Sequence, residues 1–551
     1  MNTKLKIAFA TLPSCAAPAS KLNSKTLRWI GAMSVLAMLA LPLPLVAQDG
    51  ADRKHEHHHY QLVDVGTFGG SGSAFVPGSG DVFSGSSVLT SGGIAVGYAD
   101  TSMPDPFAPN FCFSEYDCAV VHTFQAGRSG HLRDLGALPG GGSSSPLWIS
   151  ANGLIAGVSE NGETDPLYAG LPETHAVLWQ YGKLKDLGTL PEGGYESEAN
   201  AVNSAGQVVG SALNTIPDAN SMAMANYWFF NLPYGYQQRA FLWDQQRGMR
   251  DLGTLPGGTD AHAFLINERG QIVGWSYVGS APTSACAPLT VATGSFIWEE
   301  GKGMRNLGSL GGTCTLAADL NSHGQVVGQS NLAGDQSTHA FLWDHGSIQD
   351  LGGSLGGNFA GAFTLNERGE VGGFAYVAGD TTFHAALWTH IGALTDLGLL
   401  GNDICSYASA INAGGQVVGG SSSDCDKVWR AFLWEDEGPI VDLNTLISSG
   451  SALYLQKTYA INDGGEIAGI GVDANGNEHA FLLIPCDVDH PDIEGCDYDP
   501  VNATATSDLR PAPAAQAPAL SKGKLSSAAV MTRFRAMMAV RNRKLGPSQS
   551  Q

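Results

Sequence analysis

His55-Glu56-His57-His58-His59 is a metal-capable run, because neutral imidazoles at His55, His57 and His59 could chelate Zn²⁺, Cu²⁺ or Ni²⁺. It lacks the His-Glu-x-x-His spacing that sets two ligands and a base on one helix face. The run therefore reads as a solvated, weakly metal-binding tail. Asp473-Ala474-Asn475-Gly476-Asn477 carries oxygen ligands at alternate positions, as calcium loops do. No bidentate carboxylate follows at the required place, so a turn is expected there. Gly352-Gly353-Ser354-Leu355-Gly356 matches the nucleophile-elbow pattern Gly-x-Ser-x-Gly. That elbow needs a strand-to-helix turn, and no helical periodicity follows. The same slot holds Thr189, Thr254 and Ser309 elsewhere, so it reads as a recurrent turn. Glu160, Glu163 and Asp165 could supply acid–base chemistry, but nothing in the sequence makes them converge.

Residues 224–238 place Tyr227, Trp228, Phe230, Tyr234 and Tyr236 among Asn and Gln side chains. Such a segment could stack against a sugar or a peptide, or bury its aromatics against neighbouring loops. Cys15 aside, eight cysteines remain: Cys112, Cys118, Cys286, Cys314, Cys405, Cys425, Cys486 and Cys496. An even count in an exported chain predicts four disulfides, and the clustering predicts that neighbours pair.

The elements that must position these groups are repeats. Asp-Leu-Gly or a close variant recurs at Asp64, Asp134, Asp186, Asp251, Asn306, Asp350, Asp396 and Asp442. A second signal, an Asn followed by Gly and an apolar run, recurs at Asn152, Asn203, Asn267, Asn321, Asn366, Asn412 and Asn462, with a degenerate first copy from Leu89 to Gly97. The third is His-Ala-Phe-Leu-Trp, clearest from His339 to Trp343. Short runs bounded by Gly, Asn and Asp predict four strands per repeat, and a period of roughly 45 to 50 residues with several strands fits propeller blades. The repeated Asp and His read as structural, since a catalytic pair is needed once. Tyr60 to Gly66 is a fourth-strand sequence with no blade before it, and His479 to Leu483 is a third strand with no fourth after it. The expected fold is thus all-β: an eight-bladed β-propeller with four-stranded blades, closed by the N-terminal strand completing the last blade. A β-solenoid or a pair of sandwiches is the alternative.

These three motifs together resemble the extracellular repeat named for His-Ala-Phe, across residues 60–485. The resemblance implies export and repetition, and supplies no catalytic residues. Copies drift, as in His175-Ala176-Val177, Arg239-Ala240-Phe241, Gly294-Ser295-Phe296 and Arg430-Ala431-Phe432, so the His is expected to be dispensable to the fold.

Spacing singles out one loop. From the Gly ending the second strand to the His-Ala-Phe slot, the first four repeats span 18 to 29 residues and the last four only 10 or 11. Asn to Gly, by contrast, is seven in six consecutive repeats, from Asn203 to Gly469. Long loops on a rigid scaffold are where function usually sits.

Net charge is −22; residues 1–48 contribute +5 and residues 501–551 contribute +7, which leaves −34 on residues 49–500. So acidic a body argues against nucleic acid as a partner and leaves cations, neutral sugars or basic partners open. Lys4, Lys6, Lys21, Lys25 and Arg28 precede an apolar run from Trp29 to Ala47, read as a signal peptide with Pro42 and Pro44 near its end, or else as an uncleaved anchor. The organisation expected is a signal peptide (1–47), a His-rich tail (48–59), the propeller (60–485), an acidic Cys-bounded extension (486–500), a linker (501–525) and a basic amphipathic tail (526–551) that could touch an anionic membrane surface weakly. A secreted monomer that binds carbohydrate or protein, with no cofactor, is the functional expectation. A secreted glycan hydrolase or lyase and a structural surface array are the alternatives.

Overall fold

The computed structural model describes residues 56–75, 87–107, 118–166, 172–218, 221, 236–283, 285–286, 291–352, 355–389, 393–425, 428–435, 437–491 and 493–502. The described residues contain β-strands, one 3-10 turn at Leu443–Thr445 and no α-helix.

Each repeat builds an antiparallel sheet of four strands in sequence order. Residues 69–134, 144–186, 197–251 and 405–442 form separate four-stranded sheets. The three repeats between residues 261 and 398 join edge to edge into one twelve-stranded sheet, through single parallel bridges at Thr293–Cys314 and Thr338–Phe359. The remaining four-stranded sheet combines the ends of the chain. Tyr60–Asp64 pairs antiparallel with Glu478–Pro485, Leu62 facing Leu483. A further two-stranded pair joins Glu56–His57 to Val501–Asn502.

The repeated residue types have local reasons. Asn267 Oδ1 accepts from the backbone N–H of Arg269 and Gln271 (3.1 and 3.0 Å), while Gly270 takes φ +75°. An amide caps this hairpin and glycine supplies its left-handed step. The Gly that ends Val-Val-Gly serves a close approach: a Cβ at Gly274 would lie 2.0 Å from the His262 carbonyl oxygen and 2.7 Å from the Phe296 ring. The opposing strand is bulged there, between Ala263 and Leu265. In the Asp-Leu-Gly turn, Asp350 Oδ1 accepts from Gly352 N–H at 2.8 Å, and seven other copies repeat this cap.

The core lies between successive sheets. Phe241 and Trp243 pack with Ala156, Ala176 and Leu178 of the preceding repeat. Phe341 and Trp343 do the same with Leu265, Val273 and Ile297. Phe75 and Phe124 of the first sheet pack with Ala468, Ala480 and Leu482 of the last. A side-chain relay runs along the same seam. Asn203 Nδ2 donates to Asn267 O, Asn267 to Asn321 O, Asn321 to Asn366 O, Asn366 to Asn412 O and Asn412 to Asn462 O (3.0–3.3 Å). Asn462 Nδ2 donates in turn to Thr90 O of the first repeat at 3.0 Å.

Candidate functional site

The long spacings of the first four repeats become long strands. Second strands run Ala95–Pro104, Ile155–Thr164, Val208–Pro217 and Ile272–Pro282, against six or seven residues in the later repeats. Each extra length pairs with the strand that follows, through Pro104–Ala119, Thr164–Pro172, Pro217–Tyr236 and Pro282–Val291. Hairpins thus project from four consecutive repeats. Tyr236 sits half-buried at the root of the third; Tyr227, Trp228, Phe230 and Tyr234 lie outside the described residues.

At the root of that third hairpin the structure brings together a polar cluster that sequence reasoning missed. Glu198 and Asn200 come from the first strand of one repeat, His262 from the first strand of the next, and Ser211 and Gln238 from the hairpin strands. Asn200 Nδ2 lies 2.9 Å from His262 Nε2 and donates to Ala263 O at 3.1 Å. Ser211 Oγ donates to Glu198 Oε1 at 3.0 Å. Gln238 Nε2 donates to Ser211 Oγ at 2.9 Å and lies 3.2 Å from His262 Nδ1. His262 Nε2 stands 3.8 Å from Glu198 Oε1, and Trp275 stacks on the imidazole. Burial pushes the Glu198 carboxyl up to about 7 and holds His262 down at about 3. The pair therefore offers a neutral imidazole beside a carboxyl that changes charge near neutrality. Glu198 and His262 lie 64 residues apart in no shared motif; only overlay of the repeats would have shown both on first strands.

Other sequence candidates separate. Glu163 is exposed, whereas Glu160 and Asp165 are buried at different sheet junctions. His57 is buried, its Nδ1 2.6 Å from Glu435 Oε1, while His58 is exposed and His59 Nε2 stands 3.6 Å from Asp497. A solvated tail does not describe His57, because the Val501–Asn502 strand pairs beside it and its ring is buried against Glu435. His55 lies outside the described residues, and no group of three or more metal-ligating side chains occurs among those described. Asp473 spends its carboxylate inside the turn, accepting from the N–H and side-chain amides of Asn475 and Asn477. The Gly352–Gly356 stretch leads into the strand Gly356–Leu365, with Gly353 and Ser354 outside the described residues.

The recurrent His and Asp meet through Nδ1 in five close contacts: His122–Asp134, His175–Asp186, His339–Asp350, His384–Asp396 and His479–Asp64. Arg239 and Arg430 replace the His at Asp251 and Asp442. The same slot is thus filled by His or Arg at the outer strand pair of seven repeats, while Gly294 and Asn306 occupy the two positions in the remaining one.

Disulfides join Cys286 to Cys314, Cys405 to Cys425 and Cys486 to Cys496. Cys118 is also disulfide-bonded, and Cys112 lies outside the described residues. Such bonds persist in an oxidising compartment. No helix among the described residues is long and apolar enough to cross a membrane.

No known family and no curated protein matches the chain. Among solved structures, it is similar to the Pyrococcus horikoshii acylaminoacyl peptidase at 10% identity, over 60% of this chain and 49% of that one, with a TM-score of 0.34. The β-propeller domain of the Trilobed protease from Pyrococcus furiosus gives 9% identity, 65% and 96% coverage and a TM-score of 0.32. Porphyromonas gingivalis dipeptidyl peptidase 4 gives 10%, 73%, 59% and 0.41. The chain spans about half the length of the first of these. At such identities and TM-scores none of the three assigns an activity to this chain.

Proposed function

We propose that the chain is an exported eight-bladed β-propeller of the His-Ala-Phe repeat type, which binds carbohydrate or protein through the hairpins of its first four repeats. The observation that carries the reading is the confinement of elongated second strands to four consecutive repeats. The relay from Asn462 back to Thr90 and the pairing of Tyr60–Asp64 with Glu478–Pro485 support a ring that closes on itself. The disulfides support export. Binding on a glycan array and in pull-downs should be lost on deleting residues 222–235, with thermal stability unchanged. Undiminished binding by the deletion variant would sink the assignment of the face.

A secreted glycan hydrolase or lyase is the second reading, favoured by Glu198 beside His262. It requires Glu198→Gln to abolish turnover of a glycan that the variant still binds.

A further inference from the structure

The last side chain before each Asp-Leu-Gly divides the repeats into two halves. It is Arg133, Lys185, Arg250 and Arg305 in the first four, and Gln349, Thr395, Val441 and Val63 in the last four. All eight belong to fourth strands, so the outer edge of the first four repeats gathers cations on an otherwise acidic body. The turn from third to fourth strand lies at the opposite end of the third strand from the elongated hairpin, which makes this a separate surface.

In the third and fourth repeats these cations are engaged within the protein. Arg250 Nη2 stands 3.2 Å from Glu300 and 3.6 Å from Asp244, and Arg247 Nε stands 2.9 Å from Asp244. Arg305 and Lys302 share Glu299, at 2.6 and 3.1 Å. The acids sit directly after the third-strand tryptophans, Trp243 and Trp298. After Trp179 the same slots hold Gln180 and Tyr181. Around them Arg133, Lys183 and Lys185 make no ion pair among the described residues. Asp134 and Asp186 alternate onto the other face of their strands, where His122 and His175 hold them.

Gln180 and Lys183 face each other across a two-residue turn, Tyr181-Gly182. Tyr181 takes φ +52° and Gly182 φ +74°, the left-handed pair that such turns fill with Asn-Gly. A tyrosine there strains the backbone, and its side chain is 88% exposed, so packing does not explain it. In the fifth repeat His345 takes that conformation, and there Asp344 binds the ring. Arg133 lies on one flank of the turn, since a Cβ added at Gly182 would collide with its Nη2. Lys183 and Lys185 lie on the other flank, two residues apart and thus about 7 Å along one face of the strand. Lys185 Nζ stands 4.4 Å over the Trp243 ring of the third repeat, while Leu184 packs the opposite way, into the cluster of Val96, Ile155 and Trp179.

We propose that Arg133, Tyr181, Lys183 and Lys185 bind an acidic polysaccharide, a chain of uronate residues, with a sugar ring on Tyr181 and carboxylates on the three cations. Tyrosine offers a rigid apolar face with a polar edge, which suits the C–H face of a pyranose. Arginine meets a carboxylate bidentately, and the lysines act as point charges beside it. The charge of −34 on residues 49–500 selects the form of the anion. A membrane brings many charges against the acidic body, whereas a single polymer strand touches only this edge. This holds whatever the hairpin tips bind.

The test is binding of the full chain to immobilised polygalacturonate, beside neutral dextran and vesicles of phosphatidylglycerol. Polygalacturonate should bind at low salt and be released at high salt; dextran and the vesicles should not bind. Tyr181→Asn should weaken binding about tenfold, and its Tm should equal or exceed the parent's, because asparagine accepts the left-handed turn. Arg133→Gln, Lys183→Gln and Lys185→Gln should each weaken it about fivefold, and the triple variant should lose it. Lys302→Gln with Arg305→Gln should bind like the parent. So should the deletion of residues 222–235, which separates this site from the hairpin face. The proposal is overturned if polygalacturonate does not bind the parent at low salt, or if dextran or the vesicles bind as well. It is equally overturned if Tyr181→Asn and the triple variant bind like the parent, or if the Lys302–Arg305 double variant loses as much as the triple.

Discussion

Between residues 69 and 306 the second strand of each repeat runs ten or eleven residues, and between 311 and 485 six or seven. The sheet junctions differ in step. One position, fourteen residues before the Gly of the second strand, is Ser143, Glu196 and Asp260 in the early repeats and Cys314, Phe359, Cys405 and Leu455 in the later ones. Early junctions are polar and carry acids; later ones are covalent, aromatic or aliphatic. Cys314 reaches Cys286 and Cys405 reaches Cys425, while Phe359 packs with Tyr376, Phe383 and Trp429. Meanwhile the Asn relay is nearly uniform around the seam. Conformational invention is thus confined to one end of the repeats, and the scaffold beneath is left alone.

The comparison can be broken at its covalent side first. Replacing Cys405 and Cys425 by Ala opens a loop of sequence separation 20 and should cost about 3 kcal/mol, read from urea unfolding. A loss below about 1 kcal/mol would mean the late junctions are held by packing alone. Next, Asn321→Asp removes the donor that serves both Gln325 and Asn366 O, with an expected cost of about 2 kcal/mol. The same change at Asn152, whose Nδ2 reaches Ser204 O on an exposed turn, should cost less than half as much; equal costs would show the early relay to be as tight as the late one.

The smallest effect is in the outer ion pairs. Burial opposes charge on His175, but its hydrogen bonds and charge contacts to Asp186 and Glu173 raise it; for His479 the hydrogen bond to Asp64 leads. A folded-state value above the unfolded one stabilises below about pH 6.5 and loses that contribution as pH rises through the folded value. His479→Ala should therefore cost about 0.5 kcal/mol at pH 5.5 and approach the parent at pH 9, in paired denaturation curves. A pH-independent difference would reassign the His to packing.

Much of the scaffold was legible because its residues have local jobs. The Asn, Gly and Asp of each repeat cap turns within a few residues of themselves, so their spacing survives in the sequence. What was hidden depends on long-range register. Glu198 and His262 meet only because adjacent first strands align, and Glu160 looks like any strand-end acid until the Gly142 and Ser143 N–H groups are folded onto it. His57 was obscured by composition, since four histidines around one glutamate look solvated until Glu435 is supplied from 378 residues away.

The pairing of Tyr60–Asp64 with Glu478–Pro485 has a temporal side. His479 meets Asp64 across 415 residues, so at about 5 to 20 residues per second the first strand waits roughly 20 to 80 s for its partner to be synthesised. During that interval its backbone donors and acceptors are open to any passing strand, which makes the newborn chain most vulnerable to mispairing at its own beginning.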